Sequence, residues 1–222
     1  MDQEVVGGRL RRGNRASRAT LVSASLIVAL TFSYFFLDRP LAVALHSYAN
    51  GVPFFIWLTY IAAPLAPISS ILAAFIAARA LARGYLTERE SAVLRASCAI
   101  LIAGVLTHEL KDVFGRTWPE TWVNNNPSYF SNGTYRFFPF HGGQGYRAFP
   151  SGHTTAIAAA AGAVWCLWPK LRWVGVALAI AVAVGLLGAD YHWLSDIMAG
   201  AIVGVTTGVA AAKIGRGDVD LF

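Results

Sequence analysis

The chain has 222 residues, 56% of them hydrophobic and 14% charged, with a formal net charge of +6. A charged fraction so far below the usual quarter, together with long apolar runs, excludes a soluble globule and points to an integral membrane protein. The positive charge does not indicate nucleic acid, because the basic residues flank apolar runs instead of forming an aromatic-interleaved patch.

Six apolar stretches follow in chain order, at about 21–37, 54–78, 93–110, 153–168, 173–189 and 197–212. The expected fold is an all-α membrane bundle of six helices, with one long non-cytoplasmic loop between spans three and four. The first stretch has a basic lead, and Ser47-Tyr48-Ala49 resembles a cleavage site, but Asp38-Arg39-Pro40 separates the two. A retained signal-anchor is therefore expected. Pro64 and Pro67 are expected to kink the second span. Cys98 and Cys166 both fall inside apolar stretches without a spacing motif and read as small buried hydrophobes.

Charge sets the expected orientation. Arg9, Arg11, Arg12, Arg15 and Arg18 precede span one, and Arg79, Arg83, Arg89 and Arg95 surround the second connection. Lys170 and Arg172 fill the fourth, while Lys213 and Arg216 follow span six. All of these fall on one side, so both termini are expected in the cytoplasm. The expected organisation is a basic segment 1–20, a membrane domain 21–212 and a tail 213–222. Arg39, Lys111, Arg116, Arg136 and Arg147 land opposite. Most of these lie in or beside the loop 112–150, which is rich in turn residues and aromatics and is expected to cap a site.

Topology brings three places to that non-cytoplasmic face. Lys111 leaves span three, Pro150-Ser151-Gly152-His153 opens span four, and His192 and Asp196 lie between spans five and six. Ser151 is placed as an N-cap, and the free amides and positive dipole end of the helix make an anion cradle that Gly152 lets a phosphate approach. His192 and Asp196 are four apart, so in a helical turn the carboxylate can hold one imidazole nitrogen and aim the other outward. Lys111, Arg116, Arg136 and Arg147 are candidate clamps for phosphate oxygens. Taken singly, each of these features also fits a plain structural part: a helix cap, an interfacial His–Asp pair, or a solvated cation. His108, Glu109, His141 and His46 are read as capping or packing residues, and Asp190 as either a tuner of His192 or a solvated turn residue. A metal centre fits poorly, since a His-Glu-x-x-His pattern is absent and cations outnumber carboxylates.

These motifs resemble those of the type 2 phosphatidic acid phosphatase family, relatives of the vanadium haloperoxidases. The family pattern is a lysine followed after six residues by Arg-Pro, then Pro-Ser-Gly-His, then Ser-Arg with five residues to a histidine and three more to an aspartate. The second element is complete at 150–153, the third matches at His192 and Asp196, and the first at Lys111 and Pro119. Two arginines of the pattern are replaced, by Trp118 and Leu186. The resemblance implies a metal-independent, cofactor-free lipid phosphate phosphatase acting at the outer membrane face. It makes His192 the nucleophile, Asp196 its orienting acid and His153 the general acid and base. Lys111, Arg116 and the amides of Ser151 and Gly152 would hold the phosphoryl oxygens, with Arg136 and Arg147 available from the loop. A lipid-to-lipid phosphotransferase would use the same residues. Of a different class are a transporter, which would place charges near mid-span, and a binder disabled at Trp118 and Leu186. Neither the particular lipid nor the oligomeric state is legible here.

Overall fold

The computed structural model describes residues 18–122 and 124–214. Arg9, Arg11, Arg12, Arg15 and Arg216, most of segment 1–20 and the tail after residue 214 lie outside the described residues. Within them the chain is helical, with isolated β-bridges but no strand.

Helix α1 runs from Arg18 to Ala49, 32 residues, or about 48 Å at 1.5 Å per residue. The helix continues past the apolar stretch 21–37 and through Asp38-Arg39-Pro40. Ser33–Leu37 widens into a π turn in which Asp38 N–H donates to Ser33 O. Pro40 has no N–H and its ring crowds the carbonyl four residues back, which falls in the widened turn. The helix therefore carries Asp38 onward as a buried residue.

The expected second span is instead divided into α2 (Pro53–Thr59) and α3 (Leu65–Arg83). Pro64 caps α3 and Pro67 sits in its first turn, where a missing N–H costs no helical bond. Helix α4 (Glu88–Phe114) starts at a capping box, with Thr87 Oγ1 accepting from Glu90 N–H and the Glu90 carboxylate accepting from Thr87 N–H. It ends at Gly115, whose φ is +59° and where a Cβ would lie 1.9 Å from Phe138 O. Only glycine lets the returning loop press onto this helix end, where Phe138 N–H donates to Gly115 O at 2.8 Å.

The loop contains one helical turn, α5 (Tyr129–Asn132), and is followed by α6 (Gly152–Leu167), α7 (Arg172–Gly188) and α8 (Leu194–Lys213). Helices α1, α3, α4 and α8 and the stretch Pro169–Gly188 are long and apolar enough to cross a membrane, and α6 is apolar but shorter, at 16 residues. Large apolar side chains point outward along these helices, as in an integral membrane protein whose solvent is lipid. Cys98 and Cys166 are half-buried rather than fully enclosed.

Helix α6 packs against α4, α7 and, most intimately, α8. A stripe on α8 allows this: a Cβ would lie 2.6 Å from Ser151 O at Gly200, 2.4 Å from Thr155 O at Gly204 and 2.3 Å from Ala159 O at Gly208. Lipid offers no hydrophobic drive for helices to associate, so close backbone approach between small residues supplies the attraction. The contact sets the starts of α6 and α8 side by side, where Ser151 N–H donates to Asp196 O at 3.0 Å. Replacing Gly204 by Val should abolish a monodisperse, thermally stable protein in detergent, because backbone and not a flexible side chain must yield. Gly104→Ala, where a Cβ meets nothing within 4 Å, should leave the melting temperature nearly unchanged in the same assay.

Candidate active site

The end of α4, the start of α6 and the α7–α8 turn surround a cavity of about 780 Å³, closed on one side by Trp118, Trp122, Gln144 and Arg147 of the loop. Lys111, Gly152, His153 and His192 line it. The three expected sites, separated along the chain, therefore share one space.

The α7–α8 turn presents His192. Tyr191 and His192 N–H both donate to Leu186 O, at 3.0 and 3.4 Å. The Trp193 indole donates to Thr117 O at 2.9 Å, tying the turn to the loop. His192 Nδ1 lies 3.4 Å from Asp196 Oδ2, an oxygen that also accepts from Trp193 N–H at 3.0 Å. Burial drives the His192 imidazole down to about 4, against the opposing pull of Asp196, with Lys111 and His153 adding to the fall. The ring is thus neutral at physiological pH. A proton on Nδ1 satisfies Asp196 and leaves Nε2 as the nitrogen with a lone pair.

Lys111 occupies the last turn of α4 and donates to Arg147 O. A Cβ on Gly152 would lie 3.9 Å from Lys111 Cε, so the lysine reaches over the start of α6. Gly152 is the first residue of that helix, where N–H groups have no intrahelical acceptor. Ser151 is the expected N-cap, but its amide does not serve the expected anion cradle. Its amide is used on Asp196 O, and its buried hydroxyl accepts from Thr154 N–H as the N-cap. It fastens α6 to α8, and its amide is not free for a ligand.

Arg116 is likewise not on the cavity. Its guanidinium is fully buried and forks between two carboxylates, NH1 to Asp196 Oδ1 at 2.5 Å and NH2 to Asp38 Oδ2 at 2.7 Å. NH1 also donates to Ser195 Oγ at 2.6 Å. The rings of Tyr34, Tyr135, Phe137 and Trp193 surround it at 4.9 to 5.5 Å. Burial lowers its pKa, but the two acids outweigh that and hold it above the ordinary arginine value. Asp38 and Ser195 were not anticipated from the sequence. The available signal was an acid inside an apolar helix, which is functional by default.

Of the other two loop arginines, Arg147 lines the cavity, pairs with Asp112 and donates to His108 Nδ1 at 3.0 Å, so His108 is also a cavity residue. Arg136 is exposed and stacks 4.3 Å over Phe138, away from the cavity. Trp118, at a position of the family arginine, faces His192 with ring centroids 5.0 Å apart and lies 5.5 Å from Lys111 Nζ. Leu186, at the other, is fully buried against Ile157, Val182 and Ile197. Asp190 is no solvated turn residue: it is 1% exposed, with Oδ2 2.7 Å from His46 Nδ1 and Oδ1 buried without a hydrogen-bond partner among the described residues. Burial raises its pKa and His46 opposes the rise. Among the described residues no three His, Cys, Asp or Glu side chains gather as they would around a metal.

Fold and site together define an all-helical integral membrane protein with a histidine–carboxylate centre at one end of its bundle. The chain belongs to the PAP2 superfamily, whose family model matches residues 92–218. Among curated proteins it is similar to the lipid A 1-phosphatases of Rhizobium johnstonii and Rhizobium etli, each 29% identical over 120 residues covering 52% of this chain and 46% and 49% of those proteins. It is also similar to a probable lipid phosphate phosphatase 4 of Arabidopsis thaliana, 30% identical over 141 residues covering 51% of this chain and 44% of that protein. The chain thus spans about half the length of the curated relatives it matches. A crystal structure of a PAP2-type phosphatidylglycerolphosphate phosphatase from Bacillus subtilis shares the fold, with a TM-score of 0.51 and 16% identity over 88% of this chain and 98% of that one.

Arg116→Ala leaves Asp38 and Asp196 buried without their cation, so the folded state should lose about 3–5 kcal/mol. Thermal unfolding in detergent should show a large fall in melting temperature for Arg116→Ala and nearly none for Arg136→Ala.

Proposed function

We propose that the protein is a lipid phosphate phosphatase working through a phosphohistidine, without a metal. The observation that carries this reading is His192, buried, backed by Asp196 on Nδ1 and lining a cavity it shares with His153 and Lys111. The lipid assignment is supported by the activities for which the relatives are named and by the cavity's apolar wall, formed by Ala62, Ala63, Ala66, Gly104 and Ala156.

His192 Nε2 attacks phosphorus and forms the P–N bond as the P–O bond to the lipid breaks. His153 gives its proton to the departing alkoxide. The emptied His153 then takes a proton from water, the resulting hydroxide oxygen attacks phosphorus, the P–N bond breaks and inorganic phosphate leaves. Negative charge gathers on the phosphoryl oxygens, met by Lys111, Arg147 and the first amides of α6. Arg116 acts behind the site, holding Asp196. The loop 112–150 caps the cavity. Bacterial proteins among its relatives support a bacterial plasma membrane, and the charge asymmetry of its connections supports cytoplasmic termini with the site on the outer face.

Detergent-purified protein should release phosphate from members of a lipid phosphate panel with EDTA present. His192→Ala should lose at least ~10³-fold, as expected for a nucleophile that acts as one unit with its partners. Arg147→Ala should lose ~10-fold or more, in line with a charged hydrogen bond to substrate, while Arg136→Ala stays near the parent. Release abolished by EDTA, or retained by His192→Ala, contradicts the reading. Release only when a lipid acceptor is supplied converts it to phosphotransfer.

A further inference from the structure

Asp38 lies outside residues 92–218, the part matched by the family model, yet it is joined to the centre of the site. Its Oδ2 accepts from Arg116 NH2 at 2.7 Å and from Ser195 Oγ at 2.5 Å, while Oδ1 accepts from Ser195 N–H at 2.9 Å and Ser33 Oγ at 3.0 Å. The tyrosine hydroxyl of Tyr135 lies 3.1 Å from Oδ2. The carboxylate is 1% exposed and does not line the cavity, so nothing bound there touches it.

The reason for this arrangement lies in charge. Arg116 is fully buried and carries one positive charge that no solvent screens. If Asp196 were its single counter-ion, the pair would be neutral and Asp196 would have little negative charge left for the imidazole. With Asp38 on the other arm of the fork, two carboxylates share one guanidinium. The trio then keeps a net charge of −1 behind His192, where an imidazolium or a phosphorylated ring develops positive charge. We infer that Asp38 is a positioning residue of the active site: it shares the Arg116 fork with Asp196, so that the guanidinium does not fully neutralise Asp196, which stays aimed at His192 Nδ1. This rests on His192 being the nucleophile, and it assigns to the first helix a part in the chemistry that the family-matched region does not supply.

The groups facing this system fix the sign of its effects. Around His192 they are Asp196 from α8, Lys111 from α4, His153 from α6 and Trp118 from the loop. Around Asp38 they are Arg116 and Tyr135 from the loop, Ser195 from α8 and Ser33 from α1 itself. Asp38→Asn removes a negative charge at one remove from the imidazole, disfavours imidazolium and lowers the pKa of His192. Ser33→Ala removes a donor to Oδ1 that partly neutralises Asp38, strengthens the negative field and raises it.

The test is imidazole NMR of histidine-labelled full-length protein in lipid nanodiscs, with the His192 resonance assigned by His192→Ala and titrated in each variant. Asp38→Asn should move the titration down by about 0.5–1 pH unit, below the 1–3 units of a directly adjacent charge, and Ser33→Ala should move it up by a smaller amount. Loss of packing alone would not displace the two variants in opposite directions. An unmoved titration in either variant, or displacement of both the same way, overturns the assignment. Should Asp38→Asn not be recovered folded, the direction for Ser33→Ala decides alone. The readout needs no turnover: absence of phosphate release on every lipid would defeat the phosphatase reading, whereas an unmoved His192 would defeat this one.

Discussion

Asp196 is fully buried at the start of α8 and accepts hydrogen bonds from four directions. Arg116 reaches it from the loop, His192 and Trp193 N–H from the turn before it, and Ser151 N–H binds its carbonyl from α6. A buried carboxylate is costly unless it is paired and hydrogen-bonded. Here the carboxylate's partners come from the loop and the α7–α8 turn, so the condition that keeps Asp196 charged also fixes where those two segments sit, while its backbone carbonyl holds the start of α6. The glycine stripe on α8 serves the same end, since only backbone-to-backbone approach brings Ser151 within reach of Asp196. Packing and chemistry are held by one residue.

Two replacements of the family pattern acquire a physical account from this frame. Leu186 is part of the packed core among α6, α7 and α8, and its contribution to the site is its backbone carbonyl, which holds the turn carrying His192. Trp118 keeps bulk beside His192 and Lys111 but brings no charge, and its indole N–H donates to Gln144 O at 2.9 Å. Cationic character at the cavity is therefore carried by Lys111 and by Arg147, which is shared with Asp112. The arginine nearest in sequence to the lost one, Arg116, is committed elsewhere.

What the sequence disclosed were features of short range. Lys111, His153 and His192 could be brought together because each stands at a span end and alternate spans return to the same face. The helices α6, α7 and α8 follow directly from apolar run length. What it did not disclose depends on contacts between distant segments or on local backbone relief. The Arg116 fork joins residues 78 and 80 positions apart, and nothing in a lone arginine near a family motif distinguishes a phosphate clamp from a structural cation. Asp38-Arg39-Pro40 looked like a boundary because proline and charge usually end a span, and the π turn that absorbs Pro40 has no sequence signature. The capping hydroxyl of Ser151 was legible, but the diversion of its amide to Asp196 required α8 to be in place.

The central claim is that His192 takes up the phosphoryl group. The most direct test is to mix the purified protein with a radiophosphate-labelled lipid phosphate, quench during turnover and map the label by peptide digestion. The account predicts an acid-labile, base-stable phosphoryl group on His192 that disappears when the reaction runs to completion. Label on another residue, or turnover with no label on protein at any quench time, would contradict it.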